Sequence, residues 1–478
     1  MADTQADKSG GLRADLSSRE LFSLAFGAVV GVSWVILVGP WIGGAGSVGS
    51  NLAFILGGLL ILPIGLCYGE LGQRYPATGG EYVYAYRFFG ARMAFATAWG
   101  LALLYVAVCA FEAISVPWLT FEIFPGLRGA ELYSIGGKSL HVGEVVAAIS
   151  ATLGLCWLQL RGASLAARVQ DVLVFGLIAF VLIFCAAGLM NGKTENLQPY
   201  FGTGWSGFTA LLLTTPLFYA GFGAVPQALG ESSPQALKRI PAIITIVIVA
   251  AIVFHVVVIV PSALVMTPAE AVGSSLPVAL AFERAFGSQA MSTGALVAAL
   301  LALVTTWNAA LFSASRVLYA LGHGRLGPPI LGQRDARRGV PVVTVLLVSV
   351  LTLVGVPFGK ELLAPVIAIG GLSVTLVFMM IAGCVLRSRL EARRSDDPQT
   401  KTSIWLPLLS LAIAIGMVAL NGVEMGRKLF AGNFVELAVL GAWTLLGVAV
   451  WWSARHTRAA LSKEERDHLI FAKQVKTL

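Results

Sequence analysis

Ionisable side chains are scarce in the apolar stretches of this chain, and each is costly enough there to require a reason. Four stand out: Glu112 in Val108-Cys109-Ala110-Phe111-Glu112-Ala113, Asp171, His255 in Val253-Phe254-His255-Val256, and Glu436. A buried carboxyl such as Glu112 could pair with an ammonium group or hold a proton, and the neutral imidazole of His255 could relay one. A hydrogen-bonded carboxyl near the interface before Pro117 and a packing histidine are the simpler readings of the same two residues. Asp171 lies about a turn from Arg168 and Glu436 near a helix end, which makes both interfacial.

A second kind of chemistry needs no charged side chain. One apolar stretch runs Gly27-Ala28-Val29-Val30-Gly31-Val32-Ser33-Trp34, then Gly39-Pro40 and Gly43-Gly44-Ala45-Gly46. Another carries Thr214-Thr215-Pro216, then Tyr219-Ala220-Gly221-Phe222-Gly223-Ala224 and Pro226. Helices interrupted in mid-membrane free backbone N–H and C=O groups, and their half-helix ends can hold a carboxylate or a cation. Backbone around Gly31, Val32, Ser33 and Trp34 and around Tyr219, Ala220, Gly221 and Phe222 is therefore expected to fix the polar end of a ligand, with Tyr219 and Phe222 shaping a pocket for its side chain. Aromatic residues including Trp34, Tyr105, Phe218 and Trp307 could stack on an ammonium. Small residues that merely let helices approach closely would leave a similar pattern.

The elements that must position these residues are membrane helices. Of 478 residues, 57% are apolar, 12% are charged and 53 are glycine, far below the charge content of soluble domains. Apolar stretches at 21–46, 50–72, 93–119, 141–160, 165–190, 206–229, 241–266, 290–321, 341–358, 361–386, 404–421 and 434–453 are each long enough to span as a helix. Twelve crossings place 26 of the 33 Lys and Arg residues on one face, leaving Arg128, Lys138, Lys193, Arg284, Lys360, Arg427 and Lys428 on the other. By the positive-inside rule both termini, 1–20 and 454–478, are then cytoplasmic. No secretory signal is read in the first twenty residues, and the tail after the last stretch reads as a solvated short helix. The net charge of +8 is scattered, which argues for a membrane surface and against nucleic acid. Five cysteines in apolar runs and five scattered histidines have no metal-ligand spacing, and no phosphate-cradling Gly-rich loop is present, so no metal, cofactor or nucleotide is expected.

Several motifs resemble the amino acid, polyamine and organocation permeases. Tyr68-Gly69-Glu70-Leu71, followed by Pro76-Ala77-Thr78-Gly79-Gly80-Glu81-Tyr82-Val83-Tyr84, is the most specific match. Arg161-Gly162-Ala163, Glu231 ahead of Arg239-Ile240-Pro241, and Ser315-Arg316-Val317-Leu318-Tyr319-Ala320 follow in the family's order, so the likeness covers about 19–450. Two departures are visible. Ser33 stands where the family usually has the second glycine of its first-helix break, with the bulky Trp34 following, and no lysine occupies the fifth helix, where the family's frequent lysine aligns near Gly176 or Leu177.

The resemblance implies an all-α integral membrane fold of twelve helices with a five-plus-five inverted repeat (LeuT-like). The repeats would span 21–190 and 206–386, with helices eleven and twelve at 404–453. It implies a secondary transporter, not an enzyme, moving an amino acid or small organic amine by alternating access with proton symport or exchange. Glu112 on the third helix would line the central cavity, and Glu112 or His255 would carry the proton. Thr305 and Asn308, on the helix facing the first and fifth, could supply oxygens to an ion or substrate. Glu70 among Arg74, Arg87 and Arg92 would form an inner-gate ion pair. A channel or sensor on the same fold, or a carrier of a non-amino-acid solute, stays open, and the sequence sets no oligomeric state.

Overall fold

The computed structural model describes residues 12, 15–31, 33–135, 138–394 and 403–471. Except for one antiparallel ribbon, Glu131–Ile135 against Lys138–His141, its regular elements are helices. Eleven are long and apolar enough to cross a membrane: Ser47–Arg74, Ala91–Ile123, Val142–Leu160, Ala163–Asn191, Trp205–Glu231, Ile240–Val265, Gln289–His323, Val342–Gly359, Pro365–Arg394, Trp405–Phe430 and Val435–Ser453. A bent pair, Ser18–Val29 and Ser33–Ala45, meets at 50° and, counted as one span, is the first and brings the total to twelve. The lead to it at Asp15 and Leu16 and the helix Lys463–Phe471 after the twelfth span lie at one end of the bundle, termed the tail face below.

Local sequence explains the interruptions. The first span opens with a capping box in which Ser17 and Glu20 satisfy each other's backbone donors. It breaks after Val29, where Val30 and Gly31 leave the helical register. The sixth span starts as an α-helix over Trp205–Thr214 and then tightens to a 3-10 helix over Thr215–Gly223, a run too long to be an ordinary helix end. Pro216 sits at the start of that run, where a missing N–H costs least. Short α and 3-10 turns over Ala224–Glu231 complete the span.

The first span is the centre of the packing. Its tail-face half touches the fifth, seventh and eighth spans and the 3-10 run of the sixth. Its other half lies under two short helices, Pro268–Gly273 and Pro277–Phe286, which cover it from the opposite face. Gly39 permits this approach, since a methyl there would lie 2.1 Å from the Ala271 carbonyl oxygen. The eleventh and twelfth spans are peripheral and mostly exposed. The twelfth is pinned to the third by a pair of indoles: Trp99 and Trp443 each donate to the other's backbone carbonyl, at 3.0 and 3.1 Å.

The tail after the twelfth span departs from the solvated helix expected. Lys463–Phe471 docks on the tail face with Ile470 buried, Phe471 against Tyr75 and Tyr86, and the Tyr86 hydroxyl 2.8 Å from Asp467. Ile470 and Phe471 form the docking edge.

Candidate functional site

The two interrupted helices meet backbone to backbone. A methyl on Gly221 would lie 2.4 Å from both the Ala28 carbonyl carbon and the Val29 nitrogen, so only glycine lets the sixth-span run touch the end of the first half-helix. Gly31, Ser33, Ala220 and Gly221 are half-buried at this junction although they lie in mid-span. Val32 lies outside the described residues. Thr306 of the eighth span donates to the Gly27 carbonyl at 2.9 Å, and Tyr105 of the third to the Gly223 carbonyl at 3.2 Å, taking up groups the breaks release. Two fully buried indoles, Trp34 on the first span and Trp307 on the eighth, keep ring N–H groups with no partner among the described residues. Unpaired buried donors are expensive, and Trp34 lies within a turn of the first-span break.

Several candidate residues take other roles. Phe222 stacks on Phe378 of the tenth span at 5.6 Å and meets Tyr68 edge-on, so its ring is engaged by the second and tenth spans. Tyr219 donates to the Phe54 carbonyl at 2.7 Å. His255 joins it: the imidazole stacks on Phe54 at 4.4 Å, lies 5.6 Å from Tyr219 and 6.0 Å from Trp41, and has Nδ1 2.8 Å from the Ala251 carbonyl. It belongs to an aromatic cluster beside the sixth-span break. Glu112 is buried with Oε2 unpartnered, on a span that packs against the eighth, ninth and tenth.

Thr305 and Asn308 are committed to protein partners. The Thr305 hydroxyl bonds back to Ala302 at 2.7 Å, and its carbonyl accepts from the Gln170 amide at 3.0 Å. That same amide nitrogen lies 3.3 Å from the Ser23 carbonyl of the first span. Gln170 thus bridges the first and eighth spans from the fifth, about two turns before the Gly176 and Leu177 positions to which the family lysine was aligned. Asn308 donates to Gln170 Oε1 and accepts from Gln159, both at 2.8 Å. Gln159 in turn accepts from Arg316 at 3.1 Å. A chain of neutral amides therefore links four spans.

Four ion pairs at the tail face involve Glu70, Asp171 and Glu231. Glu70 meets Arg74 at 3.2 Å and Arg389 of the tenth span more closely. Arg87 is not part of this pair; its guanidinium lies over the Phe88 ring at 5.4 Å. Arg19 reaches Asp171 at 2.7 Å, so Asp171 is tied to the first span and not to Arg168. Glu231 and Arg316, both sealed from solvent, join the sixth span to the eighth at 2.8 Å. The Glu231 carbonyl also accepts from the Asp15 and Leu16 amides, which brings in the lead to the first span. Glu436, expected at an interface, pairs with Lys428 at 3.0 Å.

Glu231, Arg316 and Gln170 stood out in the sequence only as motif matches, and Gln159 and Gln227 did not stand out at all, because within apolar stretches the ionisable residues were the ones weighed for chemistry.

The model of a family described as amino acid permease matches residues 16–444. The branched-chain amino acid permease BcaP of Bacillus subtilis (strain 168) is 26% identical over 472 residues, covering 96% of each chain. The amino-acid permease RocE of the same organism is 24% identical, over 86% of this chain and 90% of its own. Its methylthioribose transporter is 27% identical over 68% of this chain and 71% of its own.

Proposed function

Because the chain belongs to the amino acid permease family, and is thus a multi-pass membrane transporter and not an enzyme, we propose that it carries an amino acid with a neutral, apolar side chain across the cell membrane by alternating access. The observation that carries this reading is the contact of the two interrupted spans at Gly221 and Ala28, which gathers half-helix ends in mid-membrane. Backbone of Gly31, Ser33 and Ala220 would hold the ammonium and carboxylate, and the buried Trp34 and Trp307 would offer their N–H groups. The contacts at Gly221 and Gly31 are with neutral groups, the Ala28–Val29 peptide and Thr306, which favours an uncharged substrate side chain. The printed name of the branched-chain relative agrees with that choice.

The tail face is taken as cytoplasmic, since it carries 26 of the 33 basic residues. The repeats are assigned to 21–190 and 206–386, with the peripheral spans 404–453 outside them. Closure of the Glu70, Asp171 and Glu231 ion pairs makes this the state shut toward the cytoplasm. A solute other than an amino acid is the second reading, supported by the methylthioribose transporter among the relatives and by Ser33 in place of the family's glycine with the bulky Trp34 following it.

Counterflow in proteoliposomes decides. Radiolabelled leucine, isoleucine or valine entering against the unlabelled amino acid inside is expected. Absence for all twenty amino acids, with uptake of a thiosugar, would favour the second reading.

A further inference from the structure

Glu81 is completely buried on the short helix Glu81–Phe89 that connects the second and third spans. The turn delivering it is built for close approach. Gly79 and Gly80 have φ of +91° and +32°, and a methyl at Gly80 would lie 2.2 Å from the Pro226 side chain. The carboxyl is thereby pressed against the sixth span just past its break. Oε2 accepts from Gln227 at 2.5 Å, while Oε1 has no partner of good geometry among the described residues. A methyl at Gly223, the last residue of the 3-10 run, would lie 3.5 Å from both Glu81 Oε1 and the Tyr105 hydroxyl.

The groups facing this carboxyl are Tyr68 from the second span, Tyr84 from its own helix, Tyr105 from the third and Gln227 from the sixth. None is cationic. Arg316, on the eighth span, is already paired with Glu231. A carboxylate sealed without a countercharge is untenable, so the group neutralises instead.

We propose that Glu81 is a proton-binding site whose occupancy is tied to the position of the sixth span: protonated while that span is closed over it, ionised when the span moves away. The assignment rests on the transporter reading above. Two of its contacts, Gln227 and Gly223, lie on the moving element, so tilting the second half of the sixth span would hydrate the carboxyl. Its O–H bond then breaks, the electron pair stays on the carboxylate, and the proton passes to water at the tail face. Closure takes a proton up again. Burial pushes the Glu81 carboxyl up from 4.5 to about 8 in the closed state, which places the exchange near physiological pH.

The experiment has two arms on the full-length protein. Counterflow of the parent is expected to change about tenfold between about pH 7 and about pH 9, following the protonated fraction of a group near 8. In Glu81→Gln this dependence is expected to vanish. An unaltered pH profile in Glu81→Gln overturns the proposal. The second arm needs no transport: the infrared carbonyl band of a protonated carboxyl should be present near neutral pH, fade on alkalinisation, and lose that titrating component in Glu81→Gln. A parent whose titrating band survives intact in the variant also overturns it. Should Glu81→Gln fail to fold, Glu81→Asp must shift the band and its pH midpoint. If the parent shows no counterflow with any amino acid, the transport reading fails, and the infrared arm still decides Glu81.

Discussion

Arg316 and Glu231 face each other at 2.8 Å with the side chains 0% and 3% exposed, and every donor contact of the arginine is internal to the protein. The guanidinium also lies 3.8 Å from the Phe312 ring centre. Such a pair contributes little net stability against an apolar replacement, but removing one partner strands a buried charge. Arg316→Met should therefore destabilise by about 3–5 kcal/mol, read as a lower midpoint in thermal unfolding of the detergent-solubilised protein. The double variant Arg316→Met, Glu231→Gln should recover a good part of that loss. Equal loss in the double variant would mean that the amide chain through Gln159 and Asn308, not the charge, is what the arginine supports.

Gly221 makes a sharper demand than the sequence pattern suggests. Any side chain there meets the Ala28–Val29 peptide at 2.4 Å, and backbone at that distance cannot give way. Gly221→Ala should already cost about 1–3 kcal/mol and abolish counterflow. A tryptophan at this site would therefore report on packing, not on binding. Ala220, half-buried beside it, is the better probe of the pocket. Ala220→Val should raise the half-saturating concentration for leucine while leaving the unfolding midpoint nearly unchanged.

The positions of the spans and of both interruptions were legible because hydropathy and the density of Gly and Pro act locally along the chain. The partners of the charges were not. Glu70 was expected to meet Arg74 or Arg87, yet the stronger partner is Arg389, more than three hundred residues away, and Arg87 turns to Phe88. Nearness in sequence is a poor guide to pairing once twelve helices pack side by side. Phe222 misled for a related reason: a residue on a broken helix has no fixed face until the break geometry is known, and here it turns toward Phe378. The amide of Gln170 was visible only as a motif match, because the carbonyls it holds belong to the first and eighth spans, far from it in sequence.

The Arg389 contact gives a test of the gate. Cys67 lies one turn before Glu70, fully buried, with its sulfur 3.4 Å from the Ser410 hydroxyl. If the Glu70–Arg389 pair holds the second and tenth spans together at the tail face, Arg389→Ala should open a path to that thiol. Maleimide labelling of Cys67, followed by peptide mass spectrometry, should rise by about tenfold over the parent. Arg87→Ala should leave labelling at the parent's level, because Arg87 is not in the clamp. Equal protection in both variants would count against a gate at Glu70.

The buried Glu81 carboxyl also fixes how stability should vary with pH. Its folded-state value is raised to about 8, whereas an unfolded chain holds it near 4.5. Below about 4.5 the group is neutral in both states, and the equilibrium does not vary with pH on its account. Between 4.5 and 8 the unfolded state has released the proton and the folded state has not, so each step up in pH favours unfolding. Above 8 both states are ionised and the loss is complete. The stabilising contribution is thus present at acid pH and is lost as pH rises through the folded value. Thermal midpoints of the solubilised parent should fall across this window by more than those of Glu81→Gln, whose amide is neutral throughout. Comparing the two slopes, instead of absolute midpoints, removes the titration of surface groups common to both. Parallel slopes would mean that the closed state already supplies Glu81 with a countercharge.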